Sequence, residues 1–138
     1  MATTSVAAHL RVVVARTARR LRQEAGTDLS PSQTAALATI ERHGPLTPSE
    51  LAVRERIQRP TATRVIARLE EMGLIGRTTD PQDRRSSLVS VTPEATALLA
   101  EQRTRKTAFL AERLDGLDAE DRATLERAAD VLERMLAE

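Results

Sequence analysis

Arginine and threonine side chains recur along one side of a predicted helix at residues 59–72. This side and its flanks comprise Arg59, Pro60, Thr61, Thr63, Arg64, Ala67 and Arg68. Small side chains permit close approach to a DNA duplex, and threonine and arginine contact base edges and phosphates. The pattern therefore favours insertion into the major groove. A solvated helix that contacts nothing would have a similar composition, so this helix alone leaves both interpretations open.

The opposite side of the same segment is apolar. Its members, Ala62, Val65, Ile66, Leu69 and Met72, recur at intervals of three and four residues. This spacing is typical of a helix that packs one face on a core. The segment should therefore be held by one side and display the other.

The preceding residues predict a second, shorter helix. Thr47-Pro48-Ser49-Glu50 has the T-x-x-E pattern of a capping box, with proline at the first helical position. The helix should run to about Arg54 and bury Leu51 and Ala52. With the helix at 59–72 it forms a helix-turn-helix by spacing, and Gly73 should end the second helix as a left-handed cap.

Two β-prone runs follow, at residues 74–79 and 88–92. The turn formers between them include Asp83, Arg84 and Arg85, which places two arginines at the tip of a predicted hairpin. We also expect Leu46 to pair with this hairpin as a one-residue third strand. A helix-turn-helix followed by such a hairpin, or wing, is a winged helix.

Residues 46–95 resemble the DNA-binding lobe of MarR-type transcriptional regulators. The most specific parts are the D-P-x-D-R-R wing, the R-P-T start of the recognition helix and the V-T-P-E entry to the next helix. The likeness extends over nearly the whole chain, because the family has a long helix before this lobe and two after it. Two positions depart from the pattern: Gln58 replaces the usual Ser or Thr cap, and Arg56 replaces a small turn residue. Each departure would cost about 1 kcal/mol locally.

The end helices raise the question of a second copy. Apolar spacing predicts helices at about 5–24, 31–43 and 93–114, and a last helix from Asp118 that stays apolar nearly to the end. A monomer core could cover these faces, but they exceed what a small lobe covers, and a twofold dimer would bury them. The resemblance implies the same arrangement. We therefore expect one domain over 1–138, mostly α with a small β-hairpin wing: residues 31–92 form the winged-helix DNA-binding lobe, and 1–30 and 93–138 the dimerisation helices.

These expectations combine into a mechanism on double-stranded DNA. Two recognition helices roughly 34 Å apart would read an inverted-repeat operator. Arg64, with Thr61 and Thr63, would lie near base edges, while Arg59 and Arg68 would meet phosphates. The resemblance implies that one wing arginine, Arg84 or Arg85, enters the minor groove and that Asp83 or loop carbonyls hold the other. The alternative for the wing is a surface Asp–Arg pair worth well under ~1 kcal/mol.

The resemblance also implies regulation by a small molecule. Members of the family are commonly released from DNA by phenolic or carboxylated ligands that bind between the lobe and the dimer helices. Arg16 and Arg20, one turn apart on the first helix, could meet such an anion, or could be solvated helix arginines. The expected role is that of a repressor. The alternative is an architectural DNA binder or a protein-interaction adaptor without ligand response.

Composition removes several other classes of function. There is no cysteine, which excludes disulfides and thiolate chemistry, and one aromatic residue, Phe109, which disfavours stacking on single strands. His9 and His43 lie in different predicted helices, so we expect neither a metal nor another cofactor. Glycine-rich phosphate loops and catalytic dyads are missing, which argues against an enzyme. Without an apolar run of ~20 residues or a signal-peptide core, a cytoplasmic protein without membrane contact is expected.

The net charge of +1 is unevenly distributed. Residues 47–92 contain eight arginines and six acidic residues, and residues 93–138 contain seven basic and eleven acidic residues. The predicted DNA-binding part therefore stays basic while the last helices are acidic. This asymmetry supports a DNA-binding role only weakly, because charge runs are common on solvated faces.

Overall fold

The computed structural model describes residues 2–137, so Met1 and Glu138, the two ends of the predicted domain, lie outside the described residues. Within that range the elements are α1 (Thr3–Ala25), α2 (Pro31–His43), α3 (Pro48–Glu55), α4 (Arg59–Glu71), β1 (Ile75–Thr79), β2 (Ser87–Val91), α5 (Pro93–Asp115) and α6 (Ala119–Leu136). The predicted architecture, mostly α with a hairpin wing, is confirmed, and the predicted helix and strand bounds agree within two residues. No helix in the described part of the chain has the length and apolarity needed to cross a bilayer.

The helix starts follow from their capping residues. Ser30 and Gln33 form both hydrogen bonds of a capping box at the start of α2. Thr47 caps α3 by accepting from the Glu50 backbone N–H at 3.1 Å. The predicted reciprocal half of that second box is wrong, because the Glu50 carboxylate accepts the Thr47 hydroxyl at 3.1 Å instead. The single cap from the Thr47 side chain suffices to start the helix.

A single apolar core joins α2, α3, α4, the hairpin and the start of α5. Its largest fully buried side chains are Leu37, Ile40, Leu51, Ile66, Leu69 and Val89. Leu46 exchanges two backbone hydrogen bonds with Val89, at 3.0 and 2.7 Å, which confirms the predicted one-residue third strand. The strand pairing therefore ties the start of the helix-turn-helix to the middle of the hairpin.

The apolar side of α4 packs on this core with one exception. Ala62, Ile66 and Leu69 are completely buried, as predicted from their spacing. Met72 was expected to join them and is 36% exposed. The expectation was wrong because α4 ends at Glu71 and Met72 is its C-cap residue, where the spacing of the helix no longer applies.

The end helices remain largely uncovered in one copy of the chain. In α1 only Ala25 is buried, and in the described part of α6 no residue is buried. Large apolar side chains are exposed along both helices, among them Val6, Val13, Leu125 and Met135. These helices have more apolar face than the lobe covers.

Gly73 turns the chain from α4 into the hairpin. Its φ of +76° is left-handed, and its N–H donates to the Glu70 carbonyl at 3.0 Å. The Leu74 N–H donates to the Leu69 carbonyl at 3.0 Å, and both leucines are buried. This is the Schellman arrangement, which favours glycine at the left-handed position. The predicted left-handed cap is confirmed.

Replacement of Gly73 with alanine should lower the free energy of unfolding by about 1–2 kcal/mol, because an L-residue is strained at this φ. A Cβ added there would meet nothing within 4 Å, so the loss would be conformational alone. Gly76 is the matched control: it also has open space, and its φ lies outside the left-handed range. Urea unfolding at fixed protein concentration should show little change for Gly76→Ala, and equal losses for the two variants would contradict this reading.

Candidate nucleic-acid interface

The turn between α3 and α4 is built on a left-handed arginine. Arg56 has φ +55°, which a glycine would adopt without strain and an L-residue adopts at a cost of about 1–2 kcal/mol. The Arg56 and Ile57 N–H groups donate to the carbonyls of Val53 (3.3 Å) and Ala52 (3.0 Å), which closes α3. The turn between α3 and α4 therefore forms although Arg56 occupies a position where the family usually has a small residue.

The start of α4 forms without a side-chain cap. Gln58 occupies the N-cap position and its side chain makes no capping hydrogen bond. Pro60 at the second helical position removes one N–H that would otherwise need a partner. The Ala62 N–H donates to the Gln58 carbonyl at 3.1 Å, so α4 starts at Arg59 as predicted.

The outer side of α4 displays most of the predicted contact residues. Arg59, Pro60, Thr63, Arg64 and Arg68 are exposed, and Thr61 is half-buried. Ala67, expected on the same side, is also half-buried, so the displayed surface is centred nearer the start of the helix. The helix therefore presents small and basic side chains over its first two turns.

Two hydrogen bonds order this surface. The Arg64 Nη2 donates to the Thr61 hydroxyl oxygen at 3.3 Å, and the Thr63 hydroxyl donates to the Arg59 carbonyl at 3.0 Å. The Thr63 proton is thus used within the helix, which leaves the exposed side chain its methyl group and the acceptor capacity of its oxygen for a ligand. Arg64 is partly oriented before any ligand binds, which lowers the entropy lost on binding.

Arg68 lies at the edge of this surface in an exposed ion pair. Its Nη1 is 3.1 Å from the Glu71 Oε2, and the two side chains are 61% and 67% exposed. Such pairs contribute up to about 1 kcal/mol and exchange readily for another anion. A phosphate could therefore replace Glu71 as the partner of Arg68.

The wing tip gives its two arginines different surroundings. The Asp83 carboxylate accepts the Arg85 N–H at 3.0 Å and lies 3.6 Å from the Arg85 Nε. Arg84 is exposed, and the described residues contain no ion pair or side-chain hydrogen bond to its guanidinium. Asp83 therefore contacts Arg85 and not Arg84 among the described residues, and the Arg85 side chain is 95% exposed in this surface pair.

A further arginine, Arg77 on β1, escaped the sequence analysis. Its Nε donates to the Glu70 Oε2 at 3.0 Å and its Nη1 donates to the Ser87 hydroxyl oxygen at 3.3 Å. The available signal was its position, two residues after the inward-facing Ile75, where strand alternation predicts an inward side chain. A charged residue at such a position needs a partner.

The other predicted site lies between α1 and α5. Arg16 and Arg20 line a cavity of about 560 Å³ together with Phe109. The Arg20 guanidinium carbon is 5.3 Å from the Phe109 ring centre, and that of Arg113 is 4.9 Å away, which are cation–π distances. Arg20 also pairs with Glu24 at 2.9 Å. The sequence analysis missed Phe109 and Arg113, because the approach of α5 to α1 is a tertiary contact.

Comparison of the sequence with known proteins identifies the family of the chain. A sequence profile described as the MarR family matches residues 29–87. An uncharacterized HTH-type transcriptional regulator from Mycobacterium leprae is 39% identical over 134 residues, which is 96% of this chain and 94% of that protein. The HTH-type transcriptional repressor MdtR from Bacillus subtilis is 33% identical over 93 residues, 67% of this chain and 60% of MdtR.

A solved structure shares the fold over nearly its full length. The crystal structure of a putative transcriptional regulator protein from Pseudomonas aeruginosa PA01 is 36% identical, with a TM-score of 0.87. The match covers 98% of this chain and 96% of that one. The end helices are thus part of the shared fold as well as the lobe.

Proposed function

The chain belongs to the MarR family of DNA-binding helix-turn-helix transcriptional regulators, and we propose that it is a repressor that acts as a homodimer on an inverted-repeat operator. The single observation that supports this most is the two-sided α4. Ala62, Ile66 and Leu69 on its apolar side are completely buried, while Arg64 and its neighbours face outward beside a wing tip that carries Arg84. The repressor assignment follows the name of the relative MdtR.

Residues 31–92 would be the DNA-binding lobe, with α4 in the major groove. Arg64, oriented by Thr61, would contact a base edge, and the Thr63 methyl and lone pair would face the neighbouring base. Arg59 and Arg68 would bind phosphates at the two sides of the groove. Pro60 would permit close approach, because it has no N–H to solvate and a compact side chain.

The wing tip would reach the adjacent minor groove. Arg84 would enter it, since the groove's negative potential attracts a guanidinium without a competing carboxylate. Arg85, held by Asp83, would support the loop from which Arg84 projects. Base readout by α4 and groove readout by the wing would then act on one face of the duplex.

Residues 1–30 and 93–138 would form the dimerisation part. A groove of about 700 Å³ between α1 and α6 is lined by Val6, Leu10, Val131 and Met135. Contiguous apolar grooves are rare on monomers and mark association sites. The end helices of a second copy would fill this groove around a twofold axis and set the two α4 helices roughly 34 Å apart.

The dimer is tested by an acidic substitution in this groove. Wild-type protein should sediment as two copies at micromolar concentration. Val131→Asp should raise the dimer dissociation constant at least ~100-fold, because an unpaired buried carboxylate costs several kcal/mol. Val53→Asp is the matched control, since Val53 is 77% exposed on α3 outside the groove. A monomeric wild type, or equal sedimentation of the two variants, would contradict the proposal.

DNA binding is tested with matched arginine variants of α4. If the dimer neutralises about eight phosphates, log K should fall against log salt with a slope of about −7. Arg64→Ala should cost about 1–3 kcal/mol per half-site and relax preference at one base position in each, whereas Arg68→Ala should weaken all sequences alike and reduce the slope by about 2, because the dimer carries two Arg68 side chains. Competition between specific and random duplexes measures both effects. A slope of about −2, or an equal loss of affinity for all sequences in Arg64→Ala, would count against the assigned contacts.

We also propose that the cavity between α1 and α5 accepts a small anionic or phenolic effector. Arg16 and Arg20 would bind its anionic group, and Phe109 would pack against its ring. A ligand that prefers one separation of the two recognition helices would shift the population of that state and so change DNA affinity.

Salicylate can serve as the probe of this site. It should release operator DNA from the wild-type protein and not from the Arg16→Ala/Arg20→Ala double variant, as measured by fluorescence anisotropy. Arg11→Ala, which changes an exposed α1 arginine away from the cavity, should respond like wild type. If the double variant releases DNA at the same salicylate concentration as the wild type, the anion is bound elsewhere.

A further inference from the structure

The hairpin has an inward face that changes character along its length. Directly opposed residues of an antiparallel pair lie on the same face, and the register pairs Ile75 with Val91 and Arg77 with Val89. Ile75 and Val89 are buried in the core. Arg77 therefore lies on the core-facing side, at the point where the apolar core ends and the wing tip begins.

At that point Arg77 joins three elements. Its Nε donates to the Glu70 carboxylate of α4 at 3.0 Å, and its Nη1 donates to the Ser87 hydroxyl of β2 at 3.3 Å. The Arg77 and Glu70 side chains are 33% and 42% exposed, so they are partly shielded from solvent. A planar guanidinium fixes the direction of both hydrogen bonds, which a flexible ammonium would not do. We refer to Arg77, Glu70 and Ser87 as the brace.

The neighbouring acid of α4 provides a contrast. Glu71 pairs with Arg68 on the same helix and has no bond to the hairpin among the described residues. Glu70 and Glu71 thus carry the same charge at the same end of α4, and only Glu70 connects the helix to the wing. The brace therefore shares no residue with the Arg68–Glu71 ion pair.

We propose that Arg77 is a positioning residue that sets the wing tip relative to α4, so that Arg84 and Arg64 engage one duplex together. This inference rests on the proposed function. The tip residues lie beyond the brace, so a small rotation at the base of the hairpin moves the Arg84 guanidinium by a larger distance. Without the brace the hairpin ladder would persist, but the tip would sample more orientations, and ordering it on DNA would cost affinity.

A double-mutant cycle tests this directly. Arg77→Met keeps an unbranched side chain with apolar methylene groups and removes the guanidinium. In otherwise wild-type protein it should weaken operator binding about ten-fold, and in the Arg84→Ala background by less than about two-fold, because the brace acts through Arg84. Glu70→Ala should bind about ten-fold more weakly than Glu71→Ala, because only Glu70 belongs to the brace. Glu71→Ala is the matched control, since both variants remove one negative charge near DNA. Thermal unfolding checks each free variant, and Glu70→Ala replaces Arg77→Met if the latter does not fold.

Three outcomes would overturn the inference. Equal losses from Arg77→Met in both backgrounds would mean that Arg77 contacts DNA itself or supports the lobe as a whole. Unchanged binding by folded Arg77→Met or Glu70→Ala would mean that the wing is positioned without the brace. A wild-type protein that binds no duplex at low salt would overturn the proposed function, and the brace would lose its role with it.

Discussion

The burial of Ile66 and Leu69 is the constraint on which the interface depends. Both side chains are completely enclosed by α2, α3 and the hairpin. A rotation of α4 by one residue, about 100°, would expose them and cost on the order of 1.5–3 kcal/mol for each side chain. The core therefore fixes the rotation of α4, and the outward direction of Arg64 and Thr63 follows from it. A surface that contacts nothing in the core is nonetheless specified by what the opposite side buries.

Features set by short-range chemistry could be predicted from the sequence. The Thr47 cap of α3, the left-handed Gly73 and the burial of Ala62, Ile66 and Leu69 each depend on residues within one or two helical turns. Met72 was assigned to the core wrongly, because periodicity shows which side of a helix is apolar but not at which residue the helix ends. The reciprocal bond expected of Glu50 does not form, because the Glu50 carboxylate accepts the Thr47 hydroxyl instead of the backbone N–H.

Features that need two distant segments could not be predicted in the same way. The spacing of Arg16 and Arg20 indicated a shared side of α1, but Phe109 reaches that cavity only because α5 packs along α1. Arg77 illustrates the intermediate case. The sequence analysis missed it although strand alternation would predict an inward side chain, and the identity of its partners depends on how the hairpin lies against α4. The exposed side of α4 was thus readable from periodicity, whereas the partners of Arg77 and the residues around Arg16 and Arg20 required the fold.

The exposed apolar faces of α1 and α6 connect stability to function. In one copy α6 buries none of its described residues, so little within that copy holds it in place. Under the proposed dimer, these faces are covered only when two chains associate, and the stability of the end helices then rises with protein concentration. Of these helices, α1 also lines the cavity beside Arg16 and Arg20. In the proposed dimer, the end helices would set the distance between the two α4 helices. A ligand in that cavity would act on the dimer geometry without touching α4. Because the buried Ile66 and Leu69 fix α4 in its lobe, a change in the separation of the lobes would move the DNA-binding surface with them.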